Sequence, residues 1–336
     1  LYSITQELKG ITPNFYIGSG KVAEIGAFVK NLEADMVIFN NELSGRQIRN
    51  LEEALDCRVV DRTLLILDIF AKRAKTKEAM LQVEIAQLNY MRTRLVGLTT
   101  SLNRQQGGIG SKGPGEKKLE LDKRRIDHDR YKLQKELEEI VKSRQVQRKN
   151  RNKSKIKKVA IVGYTNAGKS TLLNNLLEFT ENELDKQVYA ENMLFATLET
   201  STRNIQLENN KSFVITDTVG FVSNLPHNLV DSFKSTLEEI TEADYLIHVV
   251  DASNPYHQNQ IDVTDKTLEE IGVKDIPTLY LYNKYDLVED DISPTKFPFI
   301  LSSLIQKEGI RSIIRFIDKE LFSDYEEVTL LIPFTE

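Results

Sequence analysis

Hydrophobic and polar positions divide the chain into three regimes. From Ile11 to about Lys72, short apolar runs alternate with amphipathic stretches. Met36-Val-Ile-Phe39 and Arg58-Val-Val60 read as buried strands, and residues 21–32 and 44–55 as helices, the second with Ser44 as its N-cap. Such alternation predicts a small α/β domain with a parallel sheet. From about Lys75 the period lengthens. Leu81, Ile85, Leu88 and Leu95 fall on one helical stripe, and Leu119, Ile126, Leu133, Leu137 and Ile140 on another, at spacings near the 3.5-residue coiled-coil repeat. The run 104–116 between them holds five glycines and a proline, which no helix tolerates. This pattern predicts an antiparallel two-helix hairpin with a tip loop over 105–115. Twenty helical residues span about 30 Å, so the tip would project well beyond a small domain.

From Lys157 the strand-and-helix alternation returns. Val159–Val162, Phe213–Thr216, Tyr245–Val250, Thr278–Tyr282 and Phe299–Leu301 are strand candidates, the signature of a doubly wound α/β domain. Val328-Thr-Leu-Leu-Ile-Pro333 reads as one strand more. The expected organisation is a small α/β domain over 1–74, a helical hairpin over 75–150, a basic linker over 151–156, a nucleotide-binding domain over 157–322, and the start of a truncated C-terminal segment over 323–336. A leading Leu1 in place of methionine suggests a trimmed chain.

Charge changes this picture. The chain of 336 residues carries 45 Lys and Arg against 50 Asp and Glu, a net of −5 that would argue against a nucleic-acid partner. The average conceals a division. Residues 104–158 hold 19 basic and 8 acidic side chains, a net of +11, and the remainder carries −16. Residues 141–158 hold nine basic side chains and no acidic one. A basic arm on acidic globular parts points to a polyanionic partner, although a charge run alone is as readily a solvated helix face. Cys57 is the single cysteine, so no internal disulfide exists, which fits a reducing cytosol. No apolar run approaches the ~18 residues that span a bilayer, and no signal peptide is visible.

The chemistry concentrates in the last regime. Gly163-Tyr-Thr-Asn-Ala-Gly-Lys-Ser170 follows an apolar strand and opens a helix at Thr171, the setting a phosphate-binding loop requires. Its glycines let backbone N–H groups surround phosphate oxygens, and the helix N-terminus adds positive potential. Lys169 is expected on the β- and γ-phosphates and the Ser170 hydroxyl on Mg²⁺. Asp217-Thr-Val-Gly220 closes the next apolar strand, where a carboxylate serves the metal and a glycine senses the γ-phosphate. Asn283-Lys-Tyr-Asp286 closes another. A carboxylate there accepts guanine N1–H and N2–H₂ together, a donor pair adenine lacks. In this order the three motifs describe a GTPase with an α/β, P-loop fold.

Those motifs, with Asn166 in the loop, Phe195-Ala-Thr-Leu198, Phe221 after Gly220 and the run from Ser223 to Glu239, resemble the HflX branch of translation-associated GTPases. The likeness extends to Tyr16-Ile-Gly-Ser-Gly20, to Asp61–Phe70 and to the tip ending Gly113-Pro-Gly-Glu116, and so covers nearly the whole chain. It implies a GTP-hydrolysing, stress-linked cytoplasmic factor, monomeric and without membrane insertion. Such a factor docks on the 50S ribosomal subunit near the GTPase-activating region, inserts its hairpin among 23S rRNA and splits stalled or idle ribosomes. It implies that Thr197 closes over Mg²⁺ and the γ-phosphate, that Phe195, Ala196, Leu198 and Glu199 line the same switch, and that Asn166 serves a K⁺ ion. Gly163, Tyr164, Thr165, Ala167, Gly168, Thr171, Thr218, Val219, Lys284 and Tyr285 complete the expected nucleotide contacts, with Lys169, Thr197, Gly220 and Asn166 closest to catalysis. Two departures stand out. Phe221 occupies the place where many GTPases carry a water-orienting glutamine, so intrinsic hydrolysis is expected to be slow. Leu301-Ser-Ser-Leu304 replaces a usual Ser-Ala in the last guanine loop, leaving Ser302 and Ser303 both open. No second site competes: the four histidines are scattered, and Asp61 and Asp68 have no neighbouring base in sequence. A role in 50S assembly, or a protein-docking coiled coil, are the other readings of the hairpin.

Overall fold

The computed structural model describes residues 2–102, 114–152, 156–179, 201–207, 211–223, 239–289 and 292–326, the side chains of 96–102, 114–118 and 144–152 excepted. The described chain divides into two compact units, one within Leu1–Ser143 and one from Arg144 onward.

In the first unit α1 (Ser19–Asn31), β1 (Met36–Phe39), α2 (Gly45–Leu55), β2 (Arg58–Asp61) and α3 (Arg62–Arg73) precede two long helices, α4 (Lys77–Leu102) and α5 (Pro114–Asn152). The strands pair in parallel, Met36 opposite Arg58 and Phe39 opposite Asp61. Ser44 caps α2 as its sequence predicts: its Oγ accepts from the Gln47 amide at 3.3 Å, while Gln47 Oε1 accepts from the Ser44 amide at 2.9 Å. The core gathers Ile17, Val22, Leu43, Leu51, Leu55 and Val59, with Val37 and Phe39 turned toward it. Met36 and Ile38 are 45% and 50% exposed, so β1 is half-buried where the apolar run suggested full burial. Helices cover one face of this strand, and alternation sends every second side chain to the other.

The run 62–73 is a helix that the strand pattern did not announce. Asp61 both ends β2 and caps α3, accepting from the Leu64 amide at 2.9 Å. Its carboxylate is fully buried and also accepts from the Leu43 amide at 3.1 Å, the Tyr90 hydroxyl at 2.8 Å and the Arg94 guanidinium. Burial, with the Asp61 charge beside it, holds the Tyr90 phenol well above its usual range. One carboxylate thus joins the end of β2, the loop before α2 and the helix α4. Contacts between α4 and α5 pair Lys77 with Glu136 at 3.6 Å, Asn89 with Arg130 at 3.1 Å and Arg92 with Asp127 at 2.8 Å. Partner numbers fall on α5 as they rise on α4, the order of an antiparallel pair. Pro114 is the first residue of α5, where a missing N–H costs nothing, so this helix begins inside the glycine-rich run. The rest of the tip, 103–113, lies outside the described residues.

The second unit is a six-stranded sheet. Its elements are β3 (Lys157–Gly163), α6 (Lys169–Phe179), β4 (Ser201–Gln206), β5 (Ser212–Asp217), β6 (Tyr245–Asp251), α7 (His257–Glu270), β7 (Thr278–Asn283), β8 (Phe299–Leu301) and α8 (Ile310–Leu321). The strand order is β4-β5-β3-β6-β7-β8, parallel throughout except for β4, which runs antiparallel to β5. Val159 and Ile161 of β3 pack with Leu172 and Leu176 of α6 and Ile313 of α8, while Ala160 and Val162 face Phe221, Ile240 and Leu268. Burial on both faces explains why these strands read as unbroken apolar runs. Strand β4 was absent from the sequence expectation, because Ser-Thr-Arg-Asn-Ile-Gln at a sheet edge buries only Ile205 deeply. The order in which strands are added switches sides at β3, whose neighbours are β5 and β6, the topology that in open α/β sheets sets a binding site beyond the strands' carboxyl ends. The C-terminal strand expected at 328–333 lies outside the described residues.

Replacing Asp61 with alanine would leave the Arg94 guanidinium without its carboxylate and the Leu43 amide without an acceptor. The expected loss is about 3–5 kcal/mol of stability, measured as a lowered urea midpoint for the first unfolding transition.

Candidate functional site

The site is built where β3 and its neighbours end. Gly163 closes β3, and the chain loops through Tyr164, Thr165, Asn166, Ala167 and Gly168 before α6 begins at Lys169. Two positions of this loop carry backbone conformations that need explaining. Gly168 has φ +107°, and a Cβ there would lie 2.3 Å from Asn283 Nδ2. Asn166 is left-handed at φ +64°, a region asparagine tolerates better than other side chains. Ser170 and Thr171 form the first turn of α6.

Lys169 is buried, and its Nζ donates to the carbonyls of Gly163 at 3.2 Å and Tyr164 at 2.8 Å. Burial pulls its ammonium down to about 8, against the opposing attraction of Asp217. Asp217, fully buried at the end of β5, accepts from the Ser170 hydroxyl at 2.6 Å. A hydroxyl and a carboxylate in contact at a helix N-terminus are oxygen donors suited to a hard divalent cation. Thr218 is committed elsewhere: its hydroxyl donates to the Ile161 carbonyl at 2.7 Å. Val219 is buried. Gly220 passes close to the loop, since a Cβ in its place would lie 2.7 Å from Thr165 Cα and 2.9 Å from Lys169 Nζ. Phe221 then turns into the core and is 2% exposed, while its backbone bonds the loop on both sides, Phe221 N to Gly163 O and Thr165 N to Phe221 O.

The other end of the site is organised by a buried amide. Asn283 Nδ2 donates to the Ala167 carbonyl at 2.8 Å and its Oδ1 accepts from the Leu304 amide at 3.0 Å. This side chain fastens the loop after β3 to the loop after β8. Lys284, left-handed at φ +60°, pairs with Asp251 at the end of β6 at 2.6 Å. Asp251 was absent from the sequence candidates, although a carboxylate closing an apolar strand is a legible signal. Tyr285 and Asp286 form a short 3₁₀ turn directly after Lys284, and Asp286 is exposed. Ser302 and Ser303 are both buried but differ in use. Ser302 Oγ donates to the Glu308 carbonyl at 2.6 Å, whereas Ser303 Oγ has no hydrogen-bond partner among the described residues. Sequence left the two open; their surroundings separate them. Asn175, another residue the sequence did not single out, donates from α6 to the Leu304 carbonyl at 2.6 Å. The structure therefore brings the loop 163–170, residues 217–220, 283–286 and 302–303 to one end of the sheet. Phe195, Ala196, Thr197, Leu198 and Glu199 lie outside the described residues.

Three family profiles match consecutive parts of the chain: "GTP-binding GTPase N-terminal" over residues 1–71, "GTP-binding GTPase Middle Region" over 73–151 and "50S ribosome-binding GTPase" over 158–284. The chain is 48% identical over 331 residues to GTPase HflX of Caldanaerobacter subterraneus subsp. tengcongensis, covering 98% of this chain and 76% of that protein. It is 47% identical over 290 residues to GTPase HflX of Escherichia coli, covering 86% of this chain and 66% of that one. Among solved structures, a GTP-binding protein from Sulfolobus solfataricus in complex with GDP is 27% identical with a TM-score of 0.46, over 94% of this chain and 89% of that one.

Asn283→Ala removes both bonds that couple the two loops and leaves a buried carbonyl and a buried amide unpaired. Denaturant unfolding of the second unit is expected to show a loss of about 2–4 kcal/mol, at one to two for each orphaned group.

Proposed function

The chain belongs to the HflX family of GTPases, and we propose that it couples GTP binding and hydrolysis to docking on the large ribosomal subunit and to the splitting of stalled or idle ribosomes. The observation that carries this reading is the joining, in one chain, of the three nucleotide-binding motifs at one end of a parallel sheet with a long basic helix that follows a glycine-rich run of sequence. Helix α5 has 39 residues, a length of about 58 Å, and its last part lies in the stretch with nine basic and no acidic side chains. Lysines and arginines along such an arm would neutralise rRNA phosphates, and glycines at its tip would permit close approach to RNA.

Within the site, backbone amides of the loop after β3, apart from those of Thr165 and Ala167, and the start of α6 would hold the phosphates, with Lys169 on the β- and γ-oxygens. The contact of Ser170 with Asp217 fits a Mg²⁺ ion, which Ser170 and Thr197 would ligate and which supplies charge neutralisation on the phosphates when bound. Asn166, left-handed in the loop, would serve a K⁺ ion. Gly220 would offer its amide to the γ-phosphate. Asp286 would accept the two guanine donors, and Ser303, whose hydroxyl is uncommitted among the described residues, would complete the base pocket in preference to Ser302. Asn283 and Thr218 would support the site through side chains whose polar atoms are bonded to the protein. Phe221 is packed in the core and offers no hydrogen bond to water, so unassisted turnover should be slow and raised by the ribosome. GTP would order the switches and favour the docked state, and hydrolysis would release it. No described helix is long and apolar enough to cross a membrane, and a cytoplasmic place follows from the ribosomal partner.

Sucrose gradients of 70S ribosomes test the reading. With a non-hydrolysable GTP analogue the ribosomes should fall apart into subunits, the protein migrating with 50S, whereas GDP should leave 70S intact. Binding to 50S particles without splitting would favour assembly instead. Changing Gly107, Gly108 and Gly110 to alanine should abolish most splitting while GTP affinity is kept. Asp286→Asn should shift nucleotide preference from GTP to xanthosine triphosphate by at least tenfold in competition binding, because the exchanged amide matches a carbonyl at C2.

A further inference from the structure

The backbone from Gly220 to Ser223 is fastened to the phosphate loop at three points. Two are backbone bonds that any residue could make: Phe221 N donates to Gly163 O at 3.1 Å, and Thr165 N to Phe221 O at 2.8 Å. The third depends on one side chain. The Tyr164 hydroxyl accepts from the Ser223 amide at 3.0 Å and shares a second hydrogen bond with Ser223 Oγ, also at 3.0 Å. The carbonyl of this same tyrosine accepts from Lys169 Nζ. Tyr164 is therefore bonded on one side to the lysine of the phosphate loop and on the other to the segment carrying Gly220.

We propose that Tyr164 is a positioning residue for GTP hydrolysis, its hydroxyl setting the placement of Gly220 to Ser223 over the phosphate loop. The need for such a residue follows from Phe221. Its ring is buried among Ala160, Val162, Ile240 and Leu246, so this segment faces the phosphates with backbone groups alone. A side chain that reaches for water can correct a small error in backbone position by changing rotamer; a backbone amide cannot. Rate then depends directly on where the chain itself is held, and displacements of about 1 Å are enough to cost an order of magnitude or more. The phenol spans the two segments from a half-buried position, and it clamps the residue just beyond the buried ring. Gly220 is thereby gripped on its C-terminal side, with Asp217 and Thr218 holding the chain before it through Ser170 and Ile161. This inference rests on the GTPase reading of the site.

Tyr164→Phe tests it in the whole chain, since it deletes only the hydroxyl and keeps the ring and both backbone bonds. The expected result is a fall in kcat of roughly five- to tenfold, with KM for GTP and affinity for fluorescent GDP within twofold of the parent. Ser223→Ala, which keeps the amide donor, should fall less, and adding it to Tyr164→Phe should bring no further loss, because both act through one contact. Wild-type kcat in Tyr164→Phe would overturn the proposal. So would losses that multiply in the double variant, or a weakened GDP affinity that accounts for the whole effect. Failure of the parent chain to bind GDP would instead overturn the reading of the site itself.

Discussion

Asn283 is a single buried amide with its donor on one loop and its acceptor on another, and the candidate site of the second unit is arranged around it. The carbonyls of the loop after β3 find partners inside the protein. Ala167 finds one in Asn283; Gly163 and Tyr164 find one in Lys169. Close approach is then forced on the surroundings. Gly168 has no room for a Cβ against the Asn283 side chain, and Gly220 has none against Thr165. The same amide holds Leu304, and through it the short loop in which Ser302 is spent on Glu308 while Ser303 is left over. The loops after β3 and β8 thus share one anchor.

The first unit has a comparable centre in Asp61. A buried carboxylate is costly unless several donors meet it, and here the amides of Leu43 and Leu64, a phenol and a guanidinium do so. Two of those donors, Tyr90 and Arg94, belong to α4, so the charge fixes the long helix to the end of β2. The two long helices are joined by exposed ion pairs such as Arg92 with Asp127, each contributing little alone. Their orientation within this unit therefore depends more on Asp61 than on the surface charges along their length.

Much of the second unit was legible because its strands are covered on both faces, which writes an unbroken apolar run into the sequence. Phosphate-loop glycines and strand-ending carboxylates were legible for a different reason: their chemistry leaves few alternatives to the residue type. Where burial is partial the signal thinned. Strand β4 commits one deeply buried side chain, Ile205, and passed for loop. Strand β1 showed an apolar run whose alternate members, Met36 and Ile38, proved to be exposed. Helix α3 starts at the residue where β2 stops, so a single apolar stretch served two elements and showed neither boundary.

By itself, the sequence determined the fold class, the nucleotide-binding motifs, the family and the concentration of basic charge in residues 104–158. These depend on residue type and spacing, which the chain carries in one dimension. Only the tertiary structure decided what each polar atom is bonded to. It bonded Asn283 to Ala167 and Leu304 and Thr218 to Ile161, gave Ser302 a partner that Ser303 lacks among the described residues, buried Phe221 and put the Tyr164 hydroxyl on Ser223. Partners 59 residues apart, as Tyr164 and Ser223 are, or 116, as Asn283 and Ala167 are, meet only when the strands between them have paired. A hydrogen bond needs its atoms within about 3 Å, and no pattern along the chain encodes that distance.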